Sequence, residues 1–245
     1  SLEQLRIKKR PLTVSNPLFR GHVNASWKLE TTLDRMAKRE VPMEDYYRTI
    51  RSVRPAIVSI TEKNWDLPDQ FGDATRVQMP PTGYEFMIYL RHHGFPSPLL
   101  DWSRSPYVAA FFAFRSNGNP QDDSAAIYSY VEYLGAAKSW GGAEPTIFGL
   151  GPYVVSHKRH YSQQCEYTIC KKGDSDRDVY CSHEQSISKN DGEQDQLTKY
   201  LIPKSERKKV LQKLEIMNVT AFSLFGNEES LMETLAYQEL EKNFL

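Results

Sequence analysis

The 245-residue sequence predicts a single α+β domain, and three observations lead there. A hydrophobic content of 40%, with 12% aromatics, is ample for one packed core at this length. Helix-patterned and strand-patterned segments are both present along the chain. No internal repeat and no linker-like stretch divides it, so residues 1–245 are expected to form one unit.

The elements follow in order. Ser1 to Ser15 is basic and loop-like, and Asn16-Pro17 leads into a short strand, Leu18 to Arg20, that stops at Gly21. Asn24 to Lys38 reads as a helix with Trp27, Leu33 and Met36 on its inner side, and Pro42 to Val53 as a second with its proline in the first turn. Glu62 to Pro81 is rich in Pro, Asp and Gly, the signature of a loop or cover. Thr82 to His93 is densely apolar and ends at Gly94, the residue expected just past a helix. Two prolines keep Gly94 to Ser103 extended, and Ser105-Pro106 starts a helix that is apolar nearly all round from Tyr107 to Phe114, hence buried. Ile127 to Leu134, Val154 to Cys170 and Asn218 to Phe225 are expected strands. Residues 171–196, acidic and nearly free of large aliphatics, read as an exposed insert, and Ser205 to Met217 and Asn227 to Asn243 close the chain as helices.

Charge narrows the function. Lys plus Arg and Asp plus Glu each total 31, so the net charge is zero, which argues against a protein that coats a polyanion. The distribution is uneven: residues 1–60 carry twelve bases and six acids, and residues 173–196 carry seven acids and two bases. A basic rim suits a phosphate ligand. Three cysteines give no disulfide framework and fit a reducing cytoplasm. The longest apolar run is too short to span a bilayer, so no membrane partner is expected.

Strand alternation in Tyr161 to Cys170 projects Gln164 and Glu166 on one face and Gln163, Cys165 and Tyr167 on the other. A wet edge strand explains that pair as well as a reaction site does. The reaction site gains weight from an Arg-Gly ending one strand and an Asp-Trp-Ser directly before a buried helix. Phe19-Arg20-Gly21, Trp27, Leu29, His92, Gly94, Pro96, Leu99-Leu100-Asp101-Trp102-Ser103, Ser105-Pro106, Arg159 and Gln163, with the late segment Ala221 to Phe225, resemble the FRG domain, named for its Phe-Arg-Gly opening. The resemblance runs from Leu18 to about Leu235.

That pattern is in turn similar to mono-ADP-ribosyltransferases of the Arg, Ser-Thr-Ser, Glu type. Arg20 matches their arginine, Asp101-Trp102-Ser103 stands where Ser-Thr-Ser would, Val108 to Ala113 follows as their helix, and Gln164-Cys165-Glu166 fits Gln-x-Glu. Four departures stand out: only the last serine is kept, Pro98 replaces the FRG arginine before Leu-Leu-Asp, Cys165 replaces the usual glycine after the Gln pair, and FRG domains usually carry a hydrophobic residue where Glu166 sits. The resemblance implies a split antiparallel sheet flanked by helices, with NAD as substrate between its halves. Its activity would be transfer of ADP-ribose to a nucleic acid or protein, in a bacterial toxin or anti-phage effector with a neutralising antitoxin as partner. An NAD glycohydrolase and a catalytically silent FRG binding module are the alternatives.

Each residue type suits the chemistry. Cleaving the nicotinamide glycosidic bond develops an oxocarbenium ion, which a carboxylate on the ribose, Glu166, would stabilise. Arg20 offers a permanently charged fork for the diphosphate or ribose, or else an internal salt bridge. Gly21 leaves its backbone open to the carboxamide, or is an ordinary turn glycine. Ser103 holds the nicotinamide ribose or serves the turn before the helix, and Trp102 is a stacking surface or core. Asp101 and His92 form a polar pair that shapes the pocket. Gln164 and Arg159 are expected to face the acceptor, and His157-Lys158-Arg159-His160 permits a nucleic acid there. His157, His160, Cys165, Cys170, Cys181 and His183 fit no zinc spacing, and a Cys165 nucleophile would point away from Glu166, so neither a metal nor a thiol mechanism is expected.

Overall fold

The computed structural model describes residues 15–72, 78–116, 118, 123–132, 138, 142–152, 154–155, 158–174, 177–188 and 195–241. The N-terminal half holds β1 (Leu18–His22), α1 (Thr32–Ala37), β2 (Val41–Pro42), α2 (Met43–Thr61), α3 (Tyr84–His92), β3 (Leu99–Ser103) and α4 (Pro106–Phe114). Then follow β4 (Ser124–Val131), β5 (Thr146–Gly149), α5 (Lys158–Ser162), β6 (Cys165–Asp174), β7 (Arg177–Tyr180), α6 (His183–Ser188) and β8 (Gln196–Pro203). The C-terminal helices are α7 (Arg207–Ile216), α8 (Ala221–Phe225) and α9 (Glu228–Ala236), continued by a π-helical turn, Tyr237–Glu241.

The strands form one antiparallel sheet in the order β2-β7-β6-β3-β1-β4-β8, with β5 also pairing β6. This is an α+β fold. The β1–β3 contact is the narrowest joint: only Phe19 and Ser103 are in register, whereas β1 pairs β4 over five residues and β3 pairs β6 over five. The sheet is thus continuous at one point and splayed beyond it.

Alternation along the strands sorts the core onto two faces. On one face, α2 and α3 cover the β3–β6 half through Tyr46, Tyr47, Phe86, Leu99 and Tyr167, while α4, α7 and α8 cover the β1–β4 half through Phe19, Phe111, Ile127 and Leu211. On the other lie Leu18, Leu29, Leu100, Trp102, Tyr128, Tyr130, Cys170 and Cys181.

Several helix signals act as read. Ser105 caps α4 by accepting from the Val108 amide at 3.4 Å, with Pro106 in the first turn, and six of the helix's nine residues are buried. Elsewhere tertiary contacts override the pattern. The helix expected from Asn24 is confined to α1, whose Thr31–Asp34 capping box sets the start, and Trp27 and Met36 stand exposed. Within the expected strand 154–170, Lys158–Ser162 is helical because His160 folds back to stack on Tyr167 and bonds the Pro152 carbonyl at 3.0 Å. The expected strand 218–225 is instead α8, started by the reciprocal Thr220–Ser223 capping box; five apolar residues in a row carry no period that separates the two states. The supposed insert at 171–196 contributes the end of β6, β7 and α6, and several of its polar residues are buried, while 175–176 and 189–194 lie outside the described residues. Lys171 and Asp178 pair at 3.2 Å, both buried, and His183 is buried fully.

Candidate functional site

The splay between β1 and β3 opens a cavity of about 560 Å³. β1 supplies Phe19 to His22, β3 supplies Asp101 to Ser103, the loop after β1 supplies Trp27, Lys28 and Glu30, α1 supplies Arg35, and Gln163, in the turn before β6, closes it with Cys165, the first residue of β6. That volume lies within the range of small-molecule sites. Five expected residues therefore share one cavity: Arg20, Gly21, Asp101, Trp102 and Ser103. His92, Arg159, Gln164 and Glu166 are not among its lining residues.

Arg20 is the centre of the site. Its Nη1 crosses the splay to donate to the Asp101 backbone carbonyl at 2.6 Å and lies 3.7 Å from the Asp101 carboxylate, while Nε donates to His22 Nε2 at 3.0 Å. The salt bridge and the cavity position anticipated as alternatives for this residue coexist. Burial lowers its pKa, and Asp101 opposes that shift. Arg91, on the last turn of α3, grips Asp101 in a two-point fork at 2.8 and 3.2 Å. Burial works to raise the Asp101 carboxyl, but Arg91, Arg20 and His92 together hold it well below the usual carboxylate range. Asp101 is thus an anion fixed between two guanidiniums.

His22 accepts from Arg20 through Nε2, which puts its proton on Nδ1. Among the described residues Nδ1 is buried and makes no hydrogen bond. Burial, with Arg20 beside it, pushes the imidazole down to about 3, so it is neutral at physiological pH. Gly21 is needed for space: a Cβ there would collide with the Ala109 carbonyl and the Ala113 amide of α4.

The remaining expected residues are partly committed. Trp102 is 3% exposed, stacks on Tyr130 and donates its Nε1 proton to Thr168 Oγ1 at 2.8 Å. The Ser103 hydroxyl donates to the Gln163 carbonyl at 2.7 Å and accepts from the Ser105 amide at 3.0 Å, serving the turn before α4. His92 Nε2 lies 2.8 Å from the Tyr167 hydroxyl. Gln164 does not share the strand alternation of Glu166: it is an exposed turn residue with φ 49°, and β6 starts only at Cys165. Arg159 lies over the Phe225 ring at 5.3 Å.

Glu166 pairs directly with Trp102 across β6 and β3, and the Phe19–Ser103 register brings Arg20 next to Trp102 on the same face. By alternation Arg20, Trp102 and Glu166 form a row on one face, interrupted by the splay between Arg20 and Trp102, so Arg20 and Glu166 stand at least about 10 Å apart by strand spacing. The Glu166 carboxyl is raised by burial, opposed by the Arg104 guanidinium 3.7 Å away. Burial pushes the Cys165 thiol up to about 12, so it is no nucleophile. Among the described residues no three His, Cys, Asp or Glu side chains gather as metal ligands; His157 lies outside them.

Sequence reasoning missed Arg91, His22, Lys28 and Arg35. An aspartate on an apolar strand requires a cation, and Arg91 beside His92 was the available signal. The other three, His22 on β1, Lys28 in the loop after it and Arg35 on α1, reach the cavity through tertiary packing that no periodicity encodes.

Fold and site define an α+β protein with a basic cleft where its antiparallel sheet divides. Residues 15–122 match the FRG domain family, a stretch that holds Arg20, Gly21, Trp27, Arg91, His92, Asp101, Trp102 and Ser103. Arg159, Gln164 and Glu166 lie beyond the matched residues. No curated protein and no solved structure matches the chain.

Proposed function

We propose that this protein is a mono-ADP-ribosyltransferase that moves ADP-ribose from NAD to a macromolecular acceptor. The observation that carries the reading is the row of Arg20, Trp102 and Glu166 on one sheet face, beside a cavity large enough for part of a dinucleotide. Arg20, with Arg35 and Lys28 near it, provides positive charge for the diphosphate. The ribose end extends past Trp102 toward Glu166, whose carboxylate stabilises the oxocarbenium ion as the C1′–N bond to nicotinamide breaks. Nicotinamide leaves with the bonding pair, and an acceptor nucleophile bonds to C1′ and gives up its proton. The acceptor is RNA, DNA or a protein side chain, approached from the Gln164 and Arg159 side. In a bacterial cytoplasm such an activity acts as a toxin or anti-phage effector, held in check by an antitoxin.

One observation favours a second reading. Glu166 lies outside the cavity lining and faces Arg104, which suits a silent FRG module that uses the Arg20 cavity only to bind. Incubation with labelled NAD and separate lysate, DNA or RNA acceptors decides. Transfer leaves the label on a macromolecule, and Arg20→Ala and Glu166→Gln each lower turnover by about a hundredfold or more. Free labelled ADP-ribose alone identifies a glycohydrolase. No consumption of NAD by the wild type leaves the binding module.

A further inference from the structure

We infer that Trp27 is the base-stacking platform of the cavity and takes the adenine ring of the dinucleotide, an assignment that rests on the NAD reading of this site. Trp102, the aromatic expected to stack, is poorly placed for it: Tyr130 occupies one of its faces, Thr168 takes its N–H, and it is 3% exposed. Trp27 is the opposite case. It lines the same cavity, yet 55% of its surface is exposed. Its backbone is held at both ends, the amide donating to the Asn24 carbonyl at 3.2 Å and the carbonyl accepting from the Tyr128 hydroxyl at 3.3 Å. The indole is therefore positioned by its main chain without being packed. Among the described residues its ring meets one other ring, His22, tilted by 60° with centroids 6.2 Å apart, so no parallel stack covers it.

The order of groups chooses the half of the ligand. The Trp27 ring meets His22, His22 is bonded by Arg20, Arg20 lies across the β1–β3 splay from Trp102, and Glu166 pairs with Trp102 one strand beyond, on β6. A dinucleotide with its nicotinamide ribose toward Glu166 and its diphosphate on Arg20 brings its other base to the Trp27 end. Lys28 and Arg35 on the same rim add charge beside the phosphates. A flat, electron-rich indole next to cations suits a base attached to phosphate.

Calorimetric titration of the full chain with ADP-ribose, which carries adenine, and with nicotinamide mononucleotide, which does not, tests this. Trp27→Ala is expected to weaken ADP-ribose roughly tenfold to hundredfold and to leave nicotinamide mononucleotide unchanged, while Trp27→Phe keeps ADP-ribose within a few-fold. Unchanged ADP-ribose affinity in Trp27→Ala, or an equal loss for both ligands, overturns the assignment and leaves the NAD site standing. A selective loss of nicotinamide mononucleotide overturns it too, by reversing the ligand. If the wild type binds neither ligand nor NAD, the NAD reading itself has failed, and the assignment falls with it.

Discussion

At the scale of single residues, the site depends on two electrostatic arrangements of opposite sense. Asp101 is kept ionised by Arg91 and Arg20, although 32% of its side chain reaches solvent, which screens the pair. Its folded pKa is depressed, so the stability it contributes is present above the ordinary aspartate value and is lost as pH falls through the folded value. Glu166 is shifted the other way, by burial. On the proposed reaction, where this carboxylate is needed ionised, it sets an acid limb in kcat/KM for NAD above the ordinary glutamate value, and activity falls as pH drops through it. Arg104→Ala removes the charge that favours the carboxylate, so the limb is expected to move to higher pH. A pH–rate series in both proteins measures this, and an unmoved limb would show that the 3.7 Å pairing does not act on Glu166 in solution.

At the scale of elements, the cavity exists because β1 and β3 part after one registered pair while α4 holds β1 from behind. Gly21 is where strand and helix come closest. Gly21→Ala would force the Cβ into the α4 backbone, and a helix carbonyl cannot step aside as a flexible side chain can. Urea unfolding is expected to show a loss of about 1–3 kcal/mol, with weaker ligand binding because Arg20 is the next residue on that strand. A variant as stable as the wild type would mean that β1 and α4 have room the structure does not show. The short α8 owes its start to the Thr220–Ser223 capping box. Its last residue, Phe225, lies beneath the guanidiniums of Arg115 and Arg159.

At the scale of the whole molecule, polar pairs are set into the sheet where the strand pattern alone would place solvent. Lys171 and Asp178 join β6 to β7 inside the fold. Lys171→Met is expected to cost about 3–5 kcal/mol, since it leaves a buried carboxylate without that cation, and Lys171→Met combined with Asp178→Leu should recover much of the loss. Thermal melts of the single and double variants check this, and a double variant no better than the single would mean the pair is not coupled. Lys138 plays a similar part, bonding Glu132 at 2.7 Å and Asp195 at 3.0 Å. Among the described residues no helix is long and apolar enough to cross a membrane.

The α+β class and the buried α4 with its Ser105-Pro106 start were legible in the residues themselves, and the grouping of Arg20, Gly21, Asp101, Trp102 and Ser103 was legible through the resemblance to the FRG domain. Each depends on local chemistry: composition, a cap, a proline, and motifs whose spacing survives in one dimension. Arg91's hold on Asp101, the exposed Trp27, the burial of Lys171, Asp178 and His183, and the helical states of Lys158–Ser162 and Ala221–Phe225 were decided only by the tertiary structure. Short segments have no period long enough to declare themselves, and the partner of a buried charge is chosen by which strands lie side by side. That neighbourhood, here β1 against β3 at a single residue pair, is a property of the folded chain as a whole.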